Sequence, residues 1–170
     1  PNLVVAISDE TPGALPFSPC GAVAGVIART DSNRGVWKAP AGIDATLGDI
    51  PGLERALTDS ENSELNTRGI NCLRKLPTYG NVVWGARTLD GDDSFASDWK
   101  YLPVRRLALY IEASLANGLQ WALFEPNESA TWKTIRATVS SFLDILFRQG
   151  AFQGATASDT YFVRCDATTM

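Results

Sequence analysis

The chain has 170 residues, of which 45% are apolar and 20% are charged, and its net charge is −4. A chain of about this length buries roughly 70% of the surface that it exposes when unfolded, so a folded domain is predicted. The acidic balance argues against nucleic acid as a partner, because phosphate binding needs a surplus of Lys and Arg. The chain contains no histidine, which excludes Ser-His-Asp triads, Cys-His dyads and HExxH zinc sites.

The first 18 residues are predicted to form a short strand, Leu3 to Ile7, and a loop punctuated by prolines. The sequence begins without a Met or a basic leader, so we expect a fragment in which this segment joins a missing N-terminal region. Pro19 is then expected in the first turn of a helix, CGAVAGVIARTDSN, whose small residues permit close packing.

The middle of the chain predicts a long ordered loop that contains one short helix, near Asp59 to Asn66. Two β-rich runs follow, INCLRKL and NVVWGARTL, and the turn PTYG between them indicates neighbouring strands. The acidic loop DGDDSFASD resembles the opening of a calcium loop. Tyr101 stands where the twelfth-position glutamate would be needed, so no metal site is predicted there.

In the second half, Pro103 is predicted to open a helix that ends at Gly118. The apolar run LQWALF predicts an interior strand, and an amphipathic helix follows with Asn127 as its N-cap. A final strand is predicted for residues 160–165. This order predicts an α/β (α+β) fold in which helices pack on a mixed β-sheet, after a long irregular N-terminal segment.

Glu125 and Glu128 lie at the corner between the predicted strand and the amphipathic helix, and two interpretations of them stay open. One is the carboxylate pair of a hydrolase or carbohydrate-binding domain that also uses exposed tryptophans, since retaining glycosidases hold two carboxyls about 5–5.5 Å apart. The other is a helix start, where the helix dipole favours negative charge.

The chain has five tryptophans and three cysteines. Trp37 lies in irregular chain and is the tryptophan best suited to contact a partner or another loop, whereas Trp84, Trp121 and Trp132 are predicted to be buried. The cysteines are expected to be buried, reduced thiols. No apolar stretch reaches transmembrane length, so no membrane insertion is predicted.

Five strings occur in the order seen in the tail sheath proteins of contractile phages, R-type tailocins and related contractile injection systems. The chain resembles the C-terminal part of that family over nearly all of residues 19–170. The strings are VAGVIARTDSNRGVWKAPAG, LTDSENSELNTRGINCLR, VVWGARTL, VRRLALYIEASLANGLQWALFEPNESATWKTIRATVSSFLDILFRQGAFQGAT and YFVRCDATTM.

This resemblance implies a structural protein with no enzyme activity and no cofactor. Family members stack as hexameric rings around an inner tube and contract to drive the tube through a target envelope. The implied partners are further copies of the chain, the inner tube protein, and baseplate and tail terminator proteins. The implied location is a virion tail or an extracellular particle that is assembled in the bacterial cytoplasm.

The resemblance also implies two interaction sites. Family sheaths exchange terminal strands between neighbours, and this chain ends where the family continues into a C-terminal arm, so residues 160–165 are expected to offer a strand edge. The family also contacts its tube through a helix, for which the polar face of the amphipathic helix is our candidate. The residues are Tyr161, Phe162, Val163 and Arg164 for the edge, and Lys133, Arg136, Asp144 and Arg148 for the tube.

Overall fold

The computed structural model describes residues 18–48, 50 and 52–169. The predicted strand Leu3 to Ile7 and most of the loop after it lie outside the described residues. The chain divides into two compact units, the first ending at Leu107 and the second beginning at Ala108.

The first helix, α1, spans Cys20–Arg34 and follows Pro19, as predicted. Proline suits this position because its fixed φ matches the helix and its missing N–H would have had no partner there. The helix ends at Gly35, whose φ of 88° is left-handed and therefore favours glycine. A side chain on Gly35 would also collide with the ring of Trp37. Trp37 therefore contacts the end of α1.

A β-hairpin supplies the sheet of the first unit. Strand β1 (Leu73–Leu76) pairs antiparallel with strand β2 (Gly80–Val83), so the two predicted strands are confirmed, although both are shorter than expected. Residues 45–47 run along the other edge of β2, where Leu47 N–H donates to the Asn81 carbonyl at 2.7 Å. The buried core of this unit comprises Val26, Ala45, Leu47, Leu73 and Val83.

Helix α2 spans Asp59–Thr67, within a residue of its predicted end. It begins with a capping box in which the Thr58 hydroxyl accepts from the Glu61 backbone N–H and the Glu61 carboxylate accepts from the Thr58 backbone N–H. This arrangement satisfies two backbone donors that a helix start otherwise leaves without partners. Helix α2 therefore begins at a sharply defined point in the long loop.

The acidic loop 90–98 uses its carboxylates internally. Asp92 accepts from the backbone N–H and the hydroxyl of Ser94, at 2.8 and 2.6 Å, and caps a 3-10 helix, Asp93–Phe95. Asp93 forms ion pairs with Arg87, at 2.7 Å, and with Lys100. Within the described part of the chain, no cluster of three or more His, Cys, Asp or Glu residues could hold a metal ion.

Helix α3 spans Leu102–Gly118 and ends at the predicted glycine. The interior strand predicted for LQWALF is wrong: Gln120–Phe124 is a 3-10 helix, and Leu123 and Phe124 are 74% and 96% exposed. Backbone donors are satisfied locally, since Leu119 N–H donates to the Leu115 carbonyl and Ala122 N–H to the Leu119 carbonyl, both at 2.9 Å. A short apolar run does not by itself distinguish a strand from a helical turn, and here the preceding helix continues into the run.

Helix α4 spans Ser129–Arg148 and buries Val139, Leu143 and Leu146, as its apolar stripe predicted. Its N-cap is Glu128, so the prediction of Asn127 is wrong by one residue. The side-chain oxygen of Asn127 (Oδ1) instead accepts from the Trp132 ring N–H at 2.7 Å, and no side chain caps the start of α4.

The strand predicted for residues 160–165 is also wrong. Helix α5 spans Ala157–Thr160, and residues 161–165 form no strand pairing among the described residues. A strand needs a neighbour to bond its backbone, and this segment lies against a helix, as described below. The α/β class is confirmed, but the sheet that the structure describes has two antiparallel strands and is not the mixed sheet that was predicted, because two of the predicted strands do not form.

The cysteines are free thiols, as expected, but only Cys72 is buried; Cys20 is exposed and Cys165 is partly buried. Burial raises the pKa of the Cys72 thiol above its usual value. Of the helices that the structure describes, none is long and apolar enough to cross a membrane.

Candidate functional site

The two interaction sites predicted from the sequence meet on one surface of the second unit. Residues 161–165, here called the C-terminal segment, lie along the polar face of α4. Tyr161 has an extended backbone, with φ −152° and ψ 159°, and the segment follows directly from α5. The candidate site therefore consists of a helix face and the extended segment that it carries.

Tyr161 anchors the start of this segment. Its hydroxyl lies 3.3 Å from the Asp144 carboxylate and 3.4 Å from the Ser140 carbonyl, and its ring packs against Phe152 with centroids 5.9 Å apart. Desolvation raises the pKa of Tyr161 above its usual value, and the neighbouring Asp144 carboxylate adds to this shift. Tyr161 is thus held as a neutral hydrogen-bond donor.

Arg136 anchors the other end of the segment, because its guanidinium donates to the Cys165 carbonyl. A charged donor on a carbonyl makes a stronger hydrogen bond than a neutral pair. Arg136 and Asp144 were both expected to contact an inner tube, but in this structure each holds the C-terminal segment.

The remaining two tube-contact candidates face solvent. Lys133 is exposed, and the Arg148 side chain is 76% exposed although it forms an ion pair with Asp144 at 2.7 Å. An exposed pair one helical turn apart contributes only about 0.3–0.5 kcal/mol. Arg148 is therefore readily available to another partner.

The C-terminal segment alternates in exposure as a strand does. Tyr161, Val163 and Cys165 are partly buried, whereas Phe162 and Arg164 are exposed, with Phe162 at 87%. The backbone N–H groups of residues 162–165 have no backbone partner among the described residues. An extended segment with one face covered and unpaired donors can accept a further strand.

The sequence did not lead us to predict the short helix α5, which directly precedes this segment. Thr156 and Asp159 form a capping box that starts α5, and Gly154, with φ 150°, lets the chain pass close to Thr160. The pattern TASD contains the helix-start signal of a Ser or Thr followed three residues later by an acidic residue. That signal predicts a helix start where a strand was expected.

The paired-carboxylate interpretation finds no support in the geometry. Glu125 and Glu128 are exposed and form no ion pair among the described residues. The Trp132 side chain is hydrogen-bonded to the Asn127 side chain. Trp121 was predicted to be buried but is 42% exposed. Trp84 is partly buried and packs under Arg74.

Two family models match the chain in order. A model of the phage tail sheath protein central domain matches residues 6–89, and a model of the phage tail sheath C-terminal domain matches residues 95–169. The chain is also similar to the tail sheath protein of Vibrio phage KVP40, with 28% identity over 126 residues, which is 72% of this chain and 18% of the phage protein.

Solved structures of contractile particles show the same fold. The helical sheath of the anti-feeding prophage in its contracted state is 39% identical, with a TM-score of 0.82, over 94% of this chain and 43% of that one. The PVC sheath complex of an extracellular contractile injection system, also contracted, is 37% identical, with a TM-score of 0.86, over 97% of this chain and 46% of that one. The chain thus spans less than half the length of these proteins.

Proposed function

The chain belongs to the phage tail sheath family, and on that premise we propose that it is part of a structural subunit of a contractile tail sheath. In this role it polymerises as stacked hexameric rings around an inner tube and contracts to drive the tube through a target envelope. The observation that carries the proposal is the ordered match of two sheath models, over residues 6–89 and 95–169. Two similar solved structures are sheaths in the contracted state.

The proposed activity is mechanical. A family of structural sheath proteins needs no reacting group, and energy is released when one packing of rigid subunits is exchanged for another. We therefore propose no enzymatic role and no cofactor for this chain.

The C-terminal segment is proposed to join neighbouring subunits. Phe162 and Arg164 point away from α4, and the unpaired backbone beside them offers hydrogen bonds to a strand from a second copy. The segment is held on its own subunit by the Tyr161 hydroxyl, whose one proton is shared between Asp144 and Ser140, and by the Arg136 guanidinium. A neighbour's strand can thus pair with the free backbone edge of the segment while these anchors remain.

The exposed part of the α4 polar face is proposed to contact the inner tube. Lys133 and Arg148 carry this proposal, because Arg136 and Asp144 are occupied by the C-terminal segment. The further proposed partners are baseplate and tail terminator proteins; one similar structure is of an anti-feeding prophage baseplate. The proposed location is a virion tail or extracellular particle, assembled in the bacterial cytoplasm.

Electron microscopy of the protein in its natural full length, produced together with its tube protein, tests the function. We expect ribbed tubes that shorten and widen on triggering. Isolated particles at all concentrations would contradict the proposal. A Glu128→Gln variant is a suitable control, since this exposed side chain makes no hydrogen bond or ion pair among the described residues, and its tubes should match those of the wild type.

A further inference from the structure

An exposed apolar projection follows α3 in the second unit. It comprises Trp121, Leu123 and Phe124, which are 42%, 74% and 96% exposed, and we call it the apolar knob. Single exposed apolar residues are common on protein surfaces, but three within four positions form a patch of the kind found at binding surfaces. Glu125, also exposed, follows the knob directly.

An apolar groove of about 570 Å³ lies within the first unit. Its walls are one face of α1 and the chain on either side of the hairpin, and we call it the α1 groove. The residues that matter most here are Val23, Ala24, Ile27, Leu73, Arg87 and Leu89. Leu89 is 84% exposed, which leaves apolar surface open at the groove.

We propose that the apolar knob of one copy of this chain docks into the α1 groove of a second copy. The inference rests on the proposed function, since it names one of the contacts between copies in a sheath. The occupant is a peptide segment because the groove has few polar groups to orient a small molecule, although its volume lies in the range of roughly 300–1,000 Å³ that ligand pockets span. An aromatic ring and a leucine side chain suit such a space.

The charges of the two surfaces are complementary. Among the described residues that line the groove, Arg87 is the one that carries a charge, and none is acidic. Glu125 would enter beside Phe124 and therefore meet a cation. Nη1 of Arg87 already donates to the Gly91 carbonyl and the Asp93 carboxylate, and the side chain is 11% exposed. The remaining N–H donors of the guanidinium are the ones that would donate to the Glu125 carboxylate.

The symmetry of such a contact suits a sheath. The knob and the groove are different surfaces, so each copy would offer one and receive the other. Contacts of this head-to-tail kind do not end at a dimer but generate rings or helical filaments. The two sets of residues therefore predict an assembly that grows by repetition.

Photo-crosslinking tests the contact directly in the full-length protein. p-Benzoylphenylalanine is placed at Phe124, and copies labelled with ¹⁵N are mixed with unlabelled copies before assembly. A crosslink between copies can then join one labelled peptide to one unlabelled peptide, which a crosslink within a copy cannot. We expect hybrid crosslinks from Phe124 to peptides that contain Ala24 or Leu89. The matched control is Phe95, which also ends a 3-10 helix and is 65% exposed; it should not crosslink to the groove.

Substitutions in the groove provide a second test. Ala24 is exposed on α1 and lines the groove, so Ala24→Phe should fill it; Ala28→Phe alters an exposed residue of the same helix outside the lining. Loss of a central anchor should weaken association between copies by about 30-fold. Ala24→Phe and Phe124→Ser should have this effect, whereas Ala28→Phe and Phe95→Ser should not.

The outcomes separate this inference from the proposed function. Ribbed tubes with hybrid knob-to-groove crosslinks support both. Tubes in which Phe124 crosslinks elsewhere, or only within its own copy, overturn the knob contact and leave the sheath function intact. Soluble particles that still give the hybrid crosslink support the contact and contradict the sheath function, and particles without it contradict both.

Discussion

Arg106 forms a two-pronged ion pair with Asp31, in which Nη1 lies 2.7 Å from Oδ1 and Nη2 lies 2.5 Å from Oδ2. The pair joins α1 to the start of α3 within the first unit, across 75 positions of sequence, and each side chain is only about a quarter exposed. The hydrogen bonds to Asp31 raise the pKa of Arg106 above its usual value. A planar guanidinium matches a carboxylate in this geometry, which a lysine does not.

Loss of this pair should lower the free energy of unfolding. We expect Arg106→Ala to cost about 1–2 kcal/mol, between the values for exposed and for buried pairs, because a partly buried Asp31 loses its partner. Urea unfolding measures the change. Asp44→Asn is the control, since its pair with Arg34 is 3.7 Å long and mostly exposed; equal effects from the two variants would contradict the assignment.

The hydroxyl of Tyr161 should control how firmly the C-terminal segment is held. Tyr161→Phe keeps the ring contact with Phe152 but removes the donor to Asp144 and Ser140. A lost hydrogen bond is worth about 0.5–1.5 kcal/mol, so trypsin cleavage after Arg164, which requires the segment to open, should accelerate roughly two- to tenfold. Tyr110→Phe is the matched control, because Tyr110 packs similarly on Phe142; acceleration by both variants would refute the role of the hydroxyl.

The capping box of α2 should make the stability of this helix depend on pH, with lower stability at acidic pH. Hydrogen bonds from the backbone and hydroxyl of Thr58 lower the pKa of Glu61 below its ordinary value, and Arg55 contributes in the same direction. A lowered pKa in the folded state stabilises α2 above the pKa of the unfolded chain, and this contribution is lost as pH falls through the folded pKa. NMR titration of the Glu61 carboxyl should show the low pKa, and Thr58→Ala should raise it partway, whereas Thr67→Ala at the end of the helix should not. No change with Thr58→Ala would contradict this account.

Two neighbouring residues of α4 should differ strongly in their contribution to stability. Leu146 is 2% exposed and Ile145 is 52% exposed. Leu146→Ala should cost about 2–5 kcal/mol, the range for a truncated core leucine, whereas Ile145→Ala should cost about 0.5 kcal/mol or less. Thermal or urea unfolding of the two variants measures the difference, and similar costs would mean that the described face of α4 is not the buried one.

The proposed tube contact predicts an effect of charge reversal. Lys133→Glu combined with Arg148→Glu should release the inner tube from extended sheath, because both cations face solvent on α4. Co-purification of tube with sheath measures it. The control is Lys75→Glu, which reverses an exposed charge on β1. Unchanged tube recovery from the double variant would reject the contact.

Much of the fold follows from short-range signals in the sequence. Pro19 marks the start of α1, Gly118 ends α3, and the turn before Gly80 separates the two strands of the hairpin. Pro19 acts through its fixed φ and missing N–H, and Gly80 through its left-handed backbone with φ 70°, so neither signal depends on distant neighbours. The family resemblance, carried by ordered strings, was likewise confirmed.

The candidate site could be predicted only in part. The residues of both interaction surfaces were named from the sequence, but not the fact that Arg136 and Asp144 hold the C-terminal segment. These contacts join residues 17–29 positions apart, and neither local propensity nor apolar periodicity carries that information. The resemblance named the two surfaces separately and therefore did not predict that they meet.

The sequence by itself determined the class of fold, the family and the buried stripe of α4, because periodicity and capping are local properties. Only the tertiary structure decided between strand and helix for the short apolar runs 119–124 and 160–165. A β-strand exists through hydrogen bonds to a distant neighbour, and neither run has one among the described residues. The first run therefore extends α3 as a helical turn, and the second divides between the end of α5 and the extended segment on α4.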